Sequence, residues 1–489
     1  MNFAPNLPSG STDLGFQAAL PFTLVVFSAV LVVLVDLFLD ASRKRLLPWL
    51  SILGLVAPAA VLGAWWGREV NGFGGVVGLD KLSSFFELLF LLGTLLVILV
   101  SSSYARRENV ERGEYYSLLL FATSGAMLMA AALDFVVFFL GLELLSVSLY
   151  VLSGFLRERV RSVEASMKYL VLGAFASGFF LYGVALFYGA TGSTAYAGMQ
   201  AMLQSASEVP STLVYGASAL LLVGLCFKMG AVPFHMWVPD VYEGAPTSVT
   251  AYLATVSKAA AFAAFLRIFG TGLASVQVDL AKVLWVVAVA TMTLGNVAAL
   301  AQTNVKRMLA YSSVAHAGYL LVALTAAGEA GYASVLFYTL TYMFMTLGAF
   351  AVITVLRRED AEALEIGHYS GLARRYPFVS AAMALFMVAL SGIPPTGGFF
   401  AKFYVFSAAV RAGYVDLAVI GVLNSLVSAY FYLRIVFLMY MKEEGERIDH
   451  SLSLSTATAI VICILGILLT GLVPSGFAGL AASSVAAIF

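Results

Sequence analysis

Residues 227–262 read FKMGAVPFHMWVPDVYEGAPTSVTAYLATVSKAAAF, and the placement of this stretch decides the architecture. Lys228 and Lys258 lie in otherwise apolar sequence, with Gly230, Pro233, Pro239, Gly244 and Pro246 between them. Pro233 has no amide hydrogen and clashes with the turn before it, so a helix carrying Lys228 breaks there. The apolar sequence nevertheless continues to Val238. A helix beginning near Leu213 places Lys228 about 15 residues in, about 23 Å at 1.5 Å per residue, short of the roughly 30 Å hydrocarbon core. Taken alone, Lys228 can snorkel to the headgroups. Lys258 has no such escape, because it sits near the centre of the apolar run 247–269. A lysine at mid-membrane costs roughly 2.5–3.5 kcal/mol on insertion scales, so its side chain must face protein or water.

The composition agrees with that placement. Of 489 residues, 61% are hydrophobic and 11% charged, the balance of an integral membrane protein. The many long apolar runs exclude a β-barrel. Cys226 and Cys463 each lie inside an apolar run, which leaves neither a disulfide framework nor a cysteine-bound redox centre. No histidine pair has metal-ligand spacing, and neither a dinucleotide fingerprint nor a phosphate-binding loop is present. The formal net charge is zero, and no basic block points to nucleic acid. The first 16 residues lack Lys and Arg, so the run 16–39 reads as a first span, not a cleaved signal.

The expected fold is all-α, a polytopic membrane protein of about 14 transmembrane helices. The junction of spans four and five lies at Leu133 and Asp134. A second break falls at 391–403, SGIPPTGGFFAKF, where Pro394 and Pro395 end one half-helix, Gly397 and Gly398 permit the turn, and Lys402 follows. The two broken helices, 211–238 and 377–410, run in opposite directions five spans apart. Two inverted five-helix repeats produce that pattern, with the functional site at the breaks. The expected divisions are 1–113, 114–270, 271–442 and 443–489.

Basic residues orient the bundle by the positive-inside rule. Arg43, Lys44, Arg45, Arg106, Arg107, Arg112, Arg157, Arg159, Arg161, Lys306, Arg307, Arg357, Arg358, Arg374, Arg375, Lys442 and Arg447 fall on the cytoplasmic side, with both termini outside. The opposite loops and helix ends hold Arg68, Lys81, Arg267, Lys282 and Arg411. Five basic residues remain inside spans: Lys168, Lys228, Lys258, Lys402 and Arg434.

Asp36 and Glu87 lie near helix ends and read as interfacial. Glu143 stands at the middle of span five, either as a hydrogen-bonded structural carboxyl or as a titrating group. Lys168, in the first two turns of span six, can snorkel or join the interior set. His316 in span ten reads equally as a packed neutral residue or a relay; His235, in the first break, is the better relay candidate. His368 and His450 read as solvated loop residues. Burial disfavours the charged form of a lysine and a neighbouring carboxylate restores it, so a row of such groups can bind and release protons.

The motifs VPFHMWVPDVYEGAPTSVTAYLATVSKAAAF, QTNVKRMLAYSSVAHAGY, EASMKYLVLGAFASG and GIPPTGGFFAKFYVF resemble the antiporter-like subunits of respiratory complex I, the proton-pumping NADH:quinone oxidoreductase. The resemblance covers nearly the whole chain and is most specific from Asp134 to Phe406. It implies that Glu143, Lys168, Lys228, Lys258 and Lys402 are the proton-translocating groups. It implies no cofactor in this chain; NADH, FMN, iron–sulfur clusters and quinone belong to other subunits. It further implies the bacterial inner membrane and a place beside the other membrane subunits (M, L, K, J, A and H), and through them the redox arm. Lysine at 402, where one paralogue has glutamate, and the lack of a long lateral helix after the last span separate the chain from two of three paralogues. Two other readings compete: a subunit of a multisubunit Na+/H+ antiporter, and a passive scaffold. Sodium requires oxygen ligands, and only Glu143 is a clearly central carboxylate. Burying several lysines without use is costly.

Overall fold

The computed structural model describes residues 15–205, 211–359, 361–443 and 448–486. Arg447 and the two ends of the chain lie outside the described residues. The helices, in order, are α1 (Phe16–Asp36), α2 (Leu47–Ala64), α3 (Lys81–Arg107), α4 (Gly113–Ala131), α5 (Phe135–Ser153), α6 (Val160–Thr191), α7 (Tyr196–Ser205), α8 (Ser211–Met229), α9 (Trp237–Gly244), α10 (Thr247–Tyr252) and α11 (Lys258–Arg267). Then follow α12 (Ala274–Leu300), α13 (Val305–Ala326), α14 (Gly328–Val355), α15 (Leu372–Arg375), α16 (Pro377–Ser391), α17 (Gly397–Arg411), α18 (Val415–Met441), α19 (Leu454–Leu472) and α20 (Pro474–Val485). Among the described residues, strands are confined to a short hairpin (Val70–Gly72 with Val77–Leu79) and a three-stranded patch at Leu356–Arg358, Ala361–Glu362 and Asp449–His450.

Among the described residues, twelve helices are long and apolar enough to cross a membrane. To these are added α4, which carries Glu114, and the pair α16 and α17, a crossing divided in two. The junction at Leu133 separates two helices: Asp134 caps α5 by accepting from the Val136 and Val137 amides. A side-chain acceptor there satisfies donors that the first turn leaves open. Asp80 caps α3 in the same way through Ser83, and Asn304 caps α13 through Lys306 and Arg307.

Burial sorts the helices into layers. Every residue of the most apolar stretch of Thr247–Gly272 is buried, against 28% in Val160–Thr191. α3, α13 and α14 join α10 and α11 in the enclosed centre, while α1, α2, α6 and α18 form the outside and expose Phe175, Phe179, Leu426 and Tyr430. Such faces suit lipid or neighbouring protein.

The packing recurs along the chain. α4 packs on α5 as α12 packs on α13, and α6 meets α8 and α9 as α14 meets α16 and α17. Both breaks have the same chemistry: a glycine with positive φ (Gly230, 74°; Gly392, 83°) ends the first half, and a cis X–Pro bond follows (Val232–Pro233; Pro394–Pro395). Breaks inside a bilayer survive only where protein satisfies the freed backbone. At the first, the Phe227 carbonyl accepts from Trp237 Nε1 at 2.9 Å and the Val232 amide donates to Thr291 Oγ1 at 3.0 Å.

At the second break the two halves approach closely. A Cβ on Gly398 would lie 1.9 Å from the Ala389 carbonyl oxygen. Gly398→Ala is therefore expected to destabilise the protein by about 1–3 kcal/mol, the range of overpacking changes. Gly178→Ala, whose Cβ meets nothing within 4 Å, is the control. Thermal melting of the purified assembly measures both, and equal midpoints would show that the half-helices part without cost.

Candidate functional site

Lys228 is in the last turn of α8, buried against α5 and α6. Its Nζ donates to Ser146 Oγ at 2.8 Å and to the Tyr169 hydroxyl at 3.2 Å, and stands 5.5 Å over the Tyr169 ring. Tyr169 is held in place by stacking on Trp237, with ring centroids 4.5 Å apart and planes 11° from parallel. Glu143, half-buried at the middle of α5, accepts from Ser177 Oγ at 2.6 Å. Ser177, Ser146, Tyr150 and Lys228 line one cavity of about 10 Å³, the space of a single water molecule. Ser177, the partner of Glu143, thus lines the same cavity as Lys228.

Lys258 follows directly on a π-helical turn, Leu253–Ser257, between α10 and α11. One extra residue per turn re-aims the side chains after it, and such turns are frequent at functional sites. Lys258 Nζ donates to the Ser313 carbonyl at 2.5 Å, and lies 3.9 Å from the place a Cβ on Gly230 would occupy. The glycine at the first break therefore also leaves room for the second lysine. Ser257, beside Lys258, faces the Tyr169 hydroxyl that Lys228 uses. Tyr169 thus reaches from Lys228 to the residue that precedes Lys258.

From Ser313 the row continues along α13. Ser312 Oγ is hydrogen-bonded to the Tyr432 hydroxyl. His316, one turn on, meets that hydroxyl through Nε2 at 3.1 Å and the Tyr338 hydroxyl through Nδ1 at 2.6 Å. Tyr319, a further turn on, accepts from Asn296 Nδ2 at 3.1 Å, and Lys402 Nζ stands 5.1 Å over its ring. Lys402 donates to the carbonyls of Leu390 (3.1 Å) and Ser391 (2.9 Å) and to Ser425 Oγ (2.8 Å). An ammonium has three donors, and all three of Lys402 are used, two of them on carbonyls that the second break sets free. The charge and the broken helix satisfy each other.

Serine, tyrosine and histidine both donate and accept, so hydroxyls and imidazole between lysines can pass a proton by exchanging partners. The arrangement brings Glu143, Lys228, Lys258, His316 and Lys402 into one polar row through the enclosed centre. It does not bring in Lys168 or His235. Lys168, partly exposed, pairs with Glu164 Oε1 and Asp240 Oδ2, each at 2.7 Å. Asp240 also takes Arg307 (2.9 Å), Arg307 takes Glu243 (3.0 Å), and Glu243 takes Arg161 (3.2 Å). These six charges line a cavity of about 240 Å³. His235 is half-buried beside exposed Pro233 and Met236, and its Nδ1 has no partner among the described residues.

Three interfacial or loop readings are corrected. Glu87 is fully buried, because the long α3 lies in the enclosed centre and its second turn is already covered. Arg267, read as an outer-side helix-end residue, is buried and doubly bonded to Asp80 at 2.6 and 2.8 Å. Lys306 is buried, with Nζ on the Ala245 carbonyl at 2.7 Å. Arg434 reaches the Gln302 carbonyl at 3.3 Å, near the end of α12, and is not part of the row. Sequence reading did not single out Tyr169, Ser146, Ser177, Tyr319, Tyr338, Tyr432, Asn296 or Ser425. The amide Asn296 in an apolar run was a usable signal; the tyrosines, among 23, were not. Among the described residues no group of His, Cys, Asp and Glu is placed to hold a metal ion.

Residues 132–428 match the family described as NADH:quinone oxidoreductase/Mrp antiporter, transmembrane. The chain is 44% identical to NADH-quinone oxidoreductase subunit N of Trichlorobacter lovleyi, over 94% of this chain and 95% of that one. It is 43% identical to the subunit N of Chloroflexus aggregans, over 93% and 94%. It also superposes on a chain of respiratory complex I from Thermus thermophilus with bound aureothin, with a TM-score of 0.80 and 34% identity, covering 94% of this chain and 99% of that one.

The centre of the row yields a stability prediction. His316→Phe keeps the ring but removes both nitrogens, depriving the buried Tyr338 and Tyr432 hydroxyls of a partner. The expected cost is about 1–3 kcal/mol. It is read as a lower melting midpoint, part of which His316→Gln restores; no difference among the three proteins would refute the bonding described.

Proposed function

The chain belongs to the NADH:quinone oxidoreductase/Mrp antiporter transmembrane family, and on that footing we propose that it is the N-type membrane subunit of an H+-translocating NADH:quinone oxidoreductase. Protons move through it along the row Glu143, Lys228, Lys258, His316 and Lys402, while electrons pass from NADH to quinone in other subunits. The observation that carries the reading is the alignment of three buried lysines and His316 among hydroxyl groups. The three lysines lie on two broken helices and after a π-turn, and Ser146, Tyr169, Ser257, Ser312, Tyr432 and Tyr319 stand beside or between them. Such groups exchange protons, while the row sets three lysines against a single carboxylate, Glu143, a charge balance that favours protons over sodium.

The finer assignments follow the same reading. The site residues are Glu143, Lys168, Lys228, Lys258 and Lys402, with His235 and His316 as relays. Lys168, in its cluster with Asp240 and Arg307, acts at the cytoplasmic mouth; His235 serves the first break. The repeats occupy 114–270 and 271–442, flanked by 1–113 and 443–489. The subunit lies in the bacterial inner membrane beside subunits M, L, K, J, A and H. NADH, FMN, iron–sulfur clusters and quinone are bound elsewhere in the complex. Coupling acts through charge: a change at one end of the row alters which lysine holds a proton.

The test is the purified complex in liposomes carrying Lys228→Ala or Lys258→Ala, with quinone reduction and proton movement recorded together. Removing a proton-transferring group is expected to cost on the order of 10²-fold in proton movement. Normal pumping by an assembled Lys258→Ala complex would make that lysine structural and dissolve the row.

A further inference from the structure

A second set of buried charges lies away from the row, at the end of the bundle that the distribution of basic residues assigns to the outside. Glu87, in the second turn of α3, is 0% exposed, and neither of its carboxyl oxygens has a hydrogen-bond partner among the described residues. Two charged groups act on it. Asp80 caps its own helix, and Arg267 projects from the last turn of α11. Arg267 spends two N–H groups on Asp80 and its Nε on the Ala130 carbonyl at 3.0 Å. The Tyr196 hydroxyl, buried and without a partner among the described residues, lies near the same guanidinium. One cation faces two carboxyls and is bonded to only one of them. A buried carboxylate without partners costs several kcal/mol, whereas a neutral carboxylic acid avoids that penalty.

We propose that Glu87 is a further proton-binding residue of this subunit, in its outer half, and that Arg267 divides its bonds between Asp80 and Glu87 according to whether Glu87 is loaded. Unloading breaks the Glu87 O–H bond. The proton passes to water at the outer face, and the carboxylate left behind takes guanidinium N–H bonds from Asp80. Reloading reverses both changes. Arg267 stands nine residues beyond Lys258 on the same enclosed span, about 13.5 Å at 1.5 Å per residue. A rearrangement at Arg267 thus reaches the row through one rigid element. The proposal rests on the proton-translocating reading and adds a site to it.

Infrared spectroscopy of the purified complex tests it, comparing wild type, Glu87→Gln and Asp80→Asn in H2O and D2O. Gln matches the shape of the protonated acid. The difference spectrum should show loss of a deuterium-sensitive carboxylic carbonyl stretch. Asn preserves the cap on α3 but frees Arg267, so Asp80→Asn should lose the same band as Glu87 ionises to replace the missing carboxylate. This second variant decides the matter if the first does not assemble. In liposomes, Glu87→Gln should still reduce quinone while moving roughly tenfold fewer protons. Persistence of the band in either variant, or full proton movement by Glu87→Gln, overturns the proposal. Lys258→Ala, run alongside, separates the two failures: if it alone stops pumping, the row stands and Glu87 is structural.

Discussion

A charged or broken segment inside a bilayer has no solvent to complete it, so protein must supply every missing partner. The pairing of Lys402 with the carbonyls of Leu390 and Ser391 meets this constraint from both sides. The end of α16 releases acceptors that nothing in α16 can satisfy, and the ammonium in α17 brings donors that nothing in an apolar span can satisfy. Each is costly alone and inexpensive together. The close approach of Gly398 to Ala389 holds the half-helices near enough for the exchange.

The first break solves the same problem differently. There the freed backbone is met by Trp237 and Thr291, and Lys228 is left to hydroxyls, Ser146 and Tyr169. Lys258 has a single carbonyl, Ser313. Three lysines in one row are thus solvated to three different degrees, and hydroxyl groups that reverse donor and acceptor roles separate them. A set of identical sites would give a proton no reason to move. Unequal sites give each small shift of a partner a consequence for where the charge rests.

Ion pairs mark the ends of the bundle. The Lys168–Asp240–Arg307–Glu243 cluster surrounds an open cavity, where charges are screened and individually weak. The Asp80–Arg267 pair is enclosed, and enclosure makes the third group, Glu87, depend on it. Exposure separates the settings: the charges of the open cluster stand in contact with water, while those of the enclosed pair take their partners from protein alone.

The sequence by itself determined the membrane class, the two breaks and the lysines that sit in them, because apolar run length, proline and mid-span charge act locally and leave no cheap alternative. It also pointed to Glu143 and His316, though not to what they touch. Only the tertiary structure decided which residues connect the charges. Tyr169 joins Lys228 to Ser257 because α6 packs on α8 and α9, and Tyr432 reaches His316 from α18, 116 residues away. The same holds for the readings that changed. Arg267, Lys306 and Glu87 stand where a helix end would meet solvent or headgroups, and it is the neighbouring helices that bury them. Burial and hydrogen-bond partnership are properties of packed surfaces, and packing between distant segments leaves no periodic trace along the chain.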